Sequence, residues 1–477
     1  MPIDLTKPLS WKNASHDEQR MLRALQGNIL KGHGRPATIN IFFKIEIAEK
    51  HLMRSALREI GNYHAISAYQ QLIEADIFKA TGRSGSPFVS VFLSANGYAA
   101  LGVDTAAIPP DESFKRGMRK ATGLGDPALA TWEHHFQDQI DGMILVASEN
   151  DTALRLKRDA IATLLSKGGG KILKEQHGKA IFNKANDGIE HFGYVDGRSQ
   201  PLFLVEDNAK EAHDAGIAQW DPQAALDVAL IPEPASTDGI SFGSYFVFRK
   251  LEQDVRGFKR QEQVLADKLD FTGEDRELAG AIVVGRFEDG TPVTMSDEAK
   301  GENPPNDFNF NSDLGERCPF HAHIRKVNPR GTGGFEPPHI ERKHLMARRG
   351  IPYEDEPRKV HPSDIPDSAT LAKFDAEVSQ LLPTGNVGLL FMAYNHDLID
   401  QFEFTQKNWA NSPTFPANGP VPKLDPIIGQ GAIGMQHWPK EWDNEPAGTE
   451  ALSFQGFVKM RGGEYFFAPS LNFLKNL

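Results

Sequence analysis

The chain has 477 residues, with 52 Lys and Arg against 64 Asp and Glu, a formal net charge of −12 and a single cysteine. That length accommodates two or three domains and a large core, and the acidic balance argues against general binding to nucleic acid or anionic membranes. A lone Cys318 excludes a disulfide framework and Cys-rich zinc or iron–sulfur sites, which leaves imidazole and carboxylate as the available metal ligands.

In chain order, residues 1–20 carry no basic region ahead of an apolar run, and no later stretch approaches the ~18 apolar residues of a membrane span. A cytoplasmic protein is expected. Thr38–Ile45 alternates and is rich in β-branched and aromatic residues, so it reads as a strand. It leads into Ala48–Ile60, where Leu52, Met53, Ala56, Leu57 and Ile60 keep a helical period. Phe88–Leu93 leading to Tyr98–Leu101, and Gly142–Ser148 leading to Thr152–Ser166, repeat the unit, with Gly168, Gly169 and Gly170 as the stop.

Pro222, Pro232 and Pro234 interrupt the pattern between 218 and 234. Beyond them Tyr245–Leu251 precedes a helix over Glu252–Leu269, and Val387–Asn395 precedes a helix over Leu398–Asn411. Strands tied to helices in this way predict an α+β protein with two halves, 1–225 and 226–477, whose antiparallel sheets are covered by helices. Between about residues 271 and 383 the second half carries a long insertion punctuated by Gly and Pro.

That insertion holds a basic stretch. Arg317, Arg325, Lys326, Arg330, Arg342, Lys343, Arg348 and Arg349 face only Glu336 and Glu341, and His321, His323, His339, His344 and Cys318 lie among them. An imidazole beside several guanidiniums is what a haem requires, one axial ligand for iron and cations for two propionates. A solvated basic loop accounts equally well for the composition. His321 and His323 would share a face on a strand but point about 200° apart on a helix. Cys318-Pro319-Phe320 suggests a short helix ended by Pro329, in which only one of the two faces a ligand.

Two more patterns carry chemistry. Gly193 and Gly197 bracket Asp196, which projects one carboxylate from a tight turn, although Asp-Gly is also common in plain hairpins. Arg348-Arg349-Gly350-Ile351-Pro352 suits an oxyanion clamp or a basic turn.

In this order, the Gly193–Gly197, Ala322–Arg330 and Arg348–Pro352 segments resemble the motifs of the dye-decolourising peroxidases. Gln26–Leu30, Gly285-Arg286-Phe287, Gly290-Thr291-Pro292, Gly388–Phe391 and Asp425–Gly429 extend the resemblance over most of the chain. The length is similar to that of the larger bacterial members.

The resemblance implies two ferredoxin-like halves of the dimeric α+β barrel type, the first carrying the distal aspartate and the second the haem ligand. It implies haem b as cofactor, and hydrogen peroxide as the oxidant of bulky dyes, phenols or other aromatic reductants. A homo-oligomer is left open, with neither nucleic acid nor membrane as partner. His323 would be the proximal iron ligand, supported by Asp425 or, failing that, Glu403, and His321 has no role. Asp196 would move a proton within peroxide and Arg348 would stabilise the developing charge. Arg330 would meet a propionate, Leu389 and Phe391 would shape the peroxide side, and Tyr353 and Trp409 would be surface oxidation sites. A haem or porphyrin carrier is the alternative, and the presence of both Asp196 and Arg348 favours catalysis over carriage. A non-haem metal hydrolase built on His321 and His323 finds no further ligand at regular spacing.

Overall fold

The expected strands form in a computed structural model that describes residues 3–301, 303–366, 369–417, 419, 423–431, 434–444 and 448–477. In the first half they are β1 (Ala37–Ile45), β2 (Phe88–Leu93) and β3 (Gly142–Ser148). The helix α1 (Lys50–Tyr63) follows β1, and α2 (Asp151–Lys167) follows β3. The three glycines after α2 end it and at once open a fourth strand, β4 (Gly170–Lys179), which the periodicity did not predict because a bulge opposite Phe42 and Phe43 breaks its alternation.

The second half supplies β5 (Phe242–Gln253), β6 (Ile351–Glu354), β7 (Val387–Asn395) and β8 (Val458–Ala468). β5 runs two residues past its expected end. Asp254 then caps helix α3 (Val255–Lys268) by accepting a hydrogen bond from Gly257 N–H, so the helix starts three residues later than its apolar period suggested. The segment after β7 is wound more widely than an α-helix, over Leu398–Glu403 and Thr405–Ala410.

One sheet runs β6-β7-β5-β8-β2-β3-β1-β4, with every neighbour antiparallel, and two short strands attach beside it. In each half the first strand lies inside the sheet between the third and fourth, and the second lies outermost on the third strand's side. This is the ferredoxin-like order, made twice. The two ends of the path also meet: a Cβ on Gly178 in β4 would stand 2.6 Å from Cγ2 of Ile351 in β6. The sheet therefore curls into a barrel.

The two halves interlock through aromatic rings. Phe92 of β2 packs on Phe246 of β5 at 4.2 Å, and Phe42 of β1 meets Phe248 of β5 at 5.0 Å. All four are fully buried, and each contributes roughly 1.5–3 kcal/mol by leaving water. On β7 the alternation sets the site: Leu390, Met392 and Tyr394 point into the core, while Leu389 and Phe391 face out of it and remain half-buried. Among the described residues no helix is long and apolar enough to cross a membrane.

Candidate functional site

Leu389 and Phe391 open onto a cavity of about 480 Å³, within the size range of cofactor sites. Asp196, Arg198, His323, Arg330 and Arg348 line it as well. Both halves of the chain thus contribute to one pocket.

One wall is the short helix α4 (His323–Val327), which ends before Pro329 as its sequence predicts. His323, Ile324 and Val327 face the cavity, while Arg325 and Lys326 are buried behind them. The Nδ1 of His323 lies 2.8 Å from Oδ2 of Asp425. Asp425 is fully buried, and its Oδ1 accepts from Ile427 N–H at 2.7 Å and Ile428 N–H at 3.0 Å. Burial pushes this carboxyl up, but His323 and the two amides together outweigh it and hold it below the usual carboxylate range. An ionised Asp425 keeps the proton on Nδ1, and Nε2 is then the unprotonated nitrogen directed to the cavity.

Glu403, the other candidate for this partner, is elsewhere. Its oxygens accept from Arg116 and the Tyr465 hydroxyl, both at 3.0 Å, and from Lys407 at 2.7 Å. His321 points away from the cavity, edge-on to Trp438 at 4.4 Å, and burial lowers it to about 3.

Another part of the wall is the loop with the two glycines. Gly193 takes φ +103°, a conformation that disfavours any side chain, and a Cβ there would also press on the Glu288 carboxylate at 2.8 Å. Gly197 takes φ +82° and a Cβ there would meet nothing within 4 Å, because it borders the cavity. Asp196 N–H donates to Gly188 C=O at 3.0 Å, which projects the carboxylate into the open.

Arg348 is anchored to this loop. Its N–H donates to Oε1 of Gln200 at 3.0 Å, its Nη2 to Arg198 C=O at 2.9 Å, and its Nη1 stands 4.0 Å from Oδ1 of Asp196. Arg349 turns the other way and donates to the carbonyls of Asn28 and Ile29 at 2.7 and 2.8 Å. Both arginines line the cavity, but the Arg349 guanidinium is engaged by backbone carbonyls.

The basic stretch divides likewise. Lys326 donates to the carbonyls of Ser412, Phe415 and Lys423 at 2.6–2.8 Å, and burial lowers it to about 7. Arg325 pairs with Asp313 at 3.3 Å. These cations hold the chain's own loops. Arg198, Arg286 and Arg330 line the cavity, and among the described residues none of them is ion-paired to a carboxylate. Arg330 also donates to the carbonyls of Asn306 and Phe308 at 2.8 and 2.6 Å.

A haem would fit this donor set: an imidazole nitrogen faces a cavity whose wall also carries Arg198, Arg286 and Arg330, guanidiniums that no carboxylate ion-pairs among the described residues. Two expectations need correction. Tyr353 and Trp409 are only 1% and 3% exposed, so neither is a surface aromatic. Tyr353 lies on β6 with Lys250 over its ring at 4.6 Å, and Trp409 stacks on Phe415 at 5.2 Å. Apolar packing withdraws both rings from solvent. Sequence reasoning also passed over Arg198, Ser199 and Gln200, whose one visible signal was their position directly after the Asp-Gly turn.

Comparison with known proteins places these features in context. A family model described as "DyP dimeric alpha+beta barrel domain" matches residues 24–179. The "Multifunctional dye peroxidase DyP2" of Amycolatopsis sp. (strain ATCC 39116 / 75iv2) is 46% identical, covering 100% of both chains. "Peroxidase 2" of Mycetinis scorodonius is 31% identical over 95% of this chain and 87% of its own. The solved structure of the Amycolatopsis protein superposes with a TM-score of 0.92 over 100% of both chains at 46% identity. A DyP-type peroxidase structure from Anabaena sp. gives 0.89 at 36% identity, over 99% of this chain and 98% of that one.

Proposed function

For a chain that belongs to the dye-decolourising peroxidase family, we propose a division of labour among the residues of the cavity. The protein is a haem peroxidase that oxidises dyes and other aromatic reductants with hydrogen peroxide. Haem b, the form we assign, supplies when bound an iron centre that passes electrons from reductant to peroxide.

His323 would hold the cofactor through Nε2, since Nδ1 is engaged by Asp425. Asp425 fixes the tautomer that makes this possible and, by accepting from Nδ1, raises the basicity of the ligand. Arg330 and Arg198 offer cations to the cofactor's carboxylates. On the other side Asp196 accepts a proton from one oxygen of hydrogen peroxide and returns it to the oxygen that departs. Arg348, 4.0 Å from Asp196, offsets the negative charge that develops as the O–O bond stretches. Leu389 and Phe391 form an apolar wall that admits small oxidants and excludes bulky ones.

The observation that carries this reading is the pairing of Asp196 with Arg348 in the same cavity as the His323–Asp425 couple. A carrier needs the ligand and the cations, but has no use for a distal acid–base pair. We assign the two halves to residues 1–225 and 226–477, as the strand order suggests. Rapid mixing of the haem-loaded protein with hydrogen peroxide tests the roles: Asp196→Asn and Arg348→Leu should each slow the reaction by at least about 100-fold with cofactor content unchanged. Unaltered rates in both would remove these two residues from the mechanism.

A further inference from the structure

Three non-glycine residues of the cavity wall adopt left-handed backbone: Ser199 at φ +60°, Arg330 at φ +55° and Asn28 at φ +71°, of which only asparagine is a type that tolerates it. L-residues avoid this region, and they persist there when the surrounding structure over-determines it. Ser199 follows shortly after Asp196, and Arg330 ends the segment that leaves the His323 helix. The two strained residues touch, since Nη2 of Arg330 donates to Oγ of Ser199.

Arg286 completes the cluster. Its Nη2 donates to Oγ of Ser199 at 3.1 Å and to Oδ1 of Asn306 at 2.8 Å, and its Nη1 donates to Gly290 C=O at 2.8 Å. Arg330 shares the same Asn306 oxygen at 3.0 Å. Oγ of Ser199 donates in turn to that oxygen at 3.1 Å. The hydroxyl therefore accepts twice and donates once, which exhausts its capacity. Alanine here would leave two guanidinium donors short of a partner, and a carboxylate would add a charge beside Asp196.

The backbone connects this cluster to the chemistry. The carbonyl that receives Arg348 is that of Arg198, and it lies in the peptide plane whose nitrogen is that of Ser199. Fixing the left-handed turn at Ser199 fixes the direction of that carbonyl, and with it the guanidinium that faces Asp196. We propose that Ser199, backed by Arg286, is a positioning residue that ties the Asp196 loop to the segment leaving the His323 helix and so aims Arg348. Burial first, and then neighbouring Arg198 and Arg348, lower Arg286 to about 9, against a smaller opposing pull from Glu211.

The proposal rests on the peroxidase reading, and the test separates the two. Ser199→Ala and Ser199→Gly remove the hydroxyl, the second without any backbone penalty. Ser199→Asn retains an acceptor on a residue that tolerates left-handed backbone. In haem-loaded protein, Ser199→Ala and Ser199→Gly should slow the reaction with peroxide about 10- to 100-fold and weaken cyanide binding, with KM for the reductant unchanged. Amides 195–200 of the full-length chain should exchange faster with deuterated water, and Ser199→Asn should restore all three measurements. Wild-type peroxide reactivity and exchange in Ser199→Gly would overturn the positioning role alone. Haem-loaded wild-type protein that fails to react with peroxide would overturn the peroxidase reading. Should Ser199→Ala fail to hold haem, the Gly and Asn variants and the exchange measurement still decide.

Discussion

Replacing Asp425 by Asn changes one atom and forces a mismatch that the geometry does not allow to relax. The wild-type carboxylate accepts three N–H bonds, one from His323 at 2.8 Å and two from the amides of Ile427 and Ile428 at 2.7 and 3.0 Å. Asparagine has one acceptor oxygen and one donor nitrogen. If the oxygen keeps the two amides, the side-chain NH₂ meets Nδ1 of His323 and drives its proton to Nε2, the nitrogen we assign to the iron. If the oxygen keeps His323, the NH₂ faces two backbone donors in a fully buried position. Either arrangement costs about 1–3 kcal/mol, or roughly 5- to 150-fold in cofactor affinity. Titrating cofactor-free protein with haemin and following the Soret band measures that affinity. Asp425→Asn should bind more weakly and, having lost the charge behind its ligand, show a higher reduction potential. Wild-type affinity together with a wild-type potential would refute the assignment of Asp425.

Further outcomes follow from other parts of the molecule. Glu233 is 1% exposed, and burial, the largest influence on it, raises its carboxyl from 4.5 to about 7. Its stabilisation is complete below about 4.5 and is lost as pH rises through about 7. The Tm of Glu233→Gln should therefore gain on wild type as pH rises over that interval, and a constant difference would contradict the sign. Trp409→Phe should cost about 1–3 kcal/mol of stability and leave KM for a bulky dye unchanged, since no dye can touch the buried ring; a raised KM at unaltered stability would show contact.

The barrel strands were legible because β1, β2, β3 and β7 carry dense β-branched and aromatic residues, and the ligand helix because Pro319 and Pro329 bracket it. β4 was not, since its residues Gly170–Lys179 are largely polar and half-buried, and tertiary pairing with β1 rather than local preference makes them a strand. β6 was hidden for the opposite reason, a short strand within a stretch dense in Gly and Pro. At the site, motifs identified His323, Asp196 and Arg348, and the structure brings all three to one cavity. It also chose between Asp425 and Glu403, which no local pattern can do when the partner is 102 residues from the histidine. Tyr353 and Trp409 were misjudged as surface groups because burial depends on what packs over a ring, and His344, whose ring meets Trp409 at 5.4 Å, comes from a distant part of the chain. Ser199 escaped notice because its left-handed backbone leaves no mark in a serine.

The central claim is that one cavity joins a histidine-held haem to an aspartate that handles peroxide. The visible spectrum of purified, haem-loaded protein, recorded before and after one equivalent of hydrogen peroxide, tests it most directly. A Soret band that shifts with peroxide and returns when an aromatic reductant is added is the predicted result. Absence of a Soret band even after reconstitution with haemin, or a band that only bleaches and never recovers with reductant, would contradict the account.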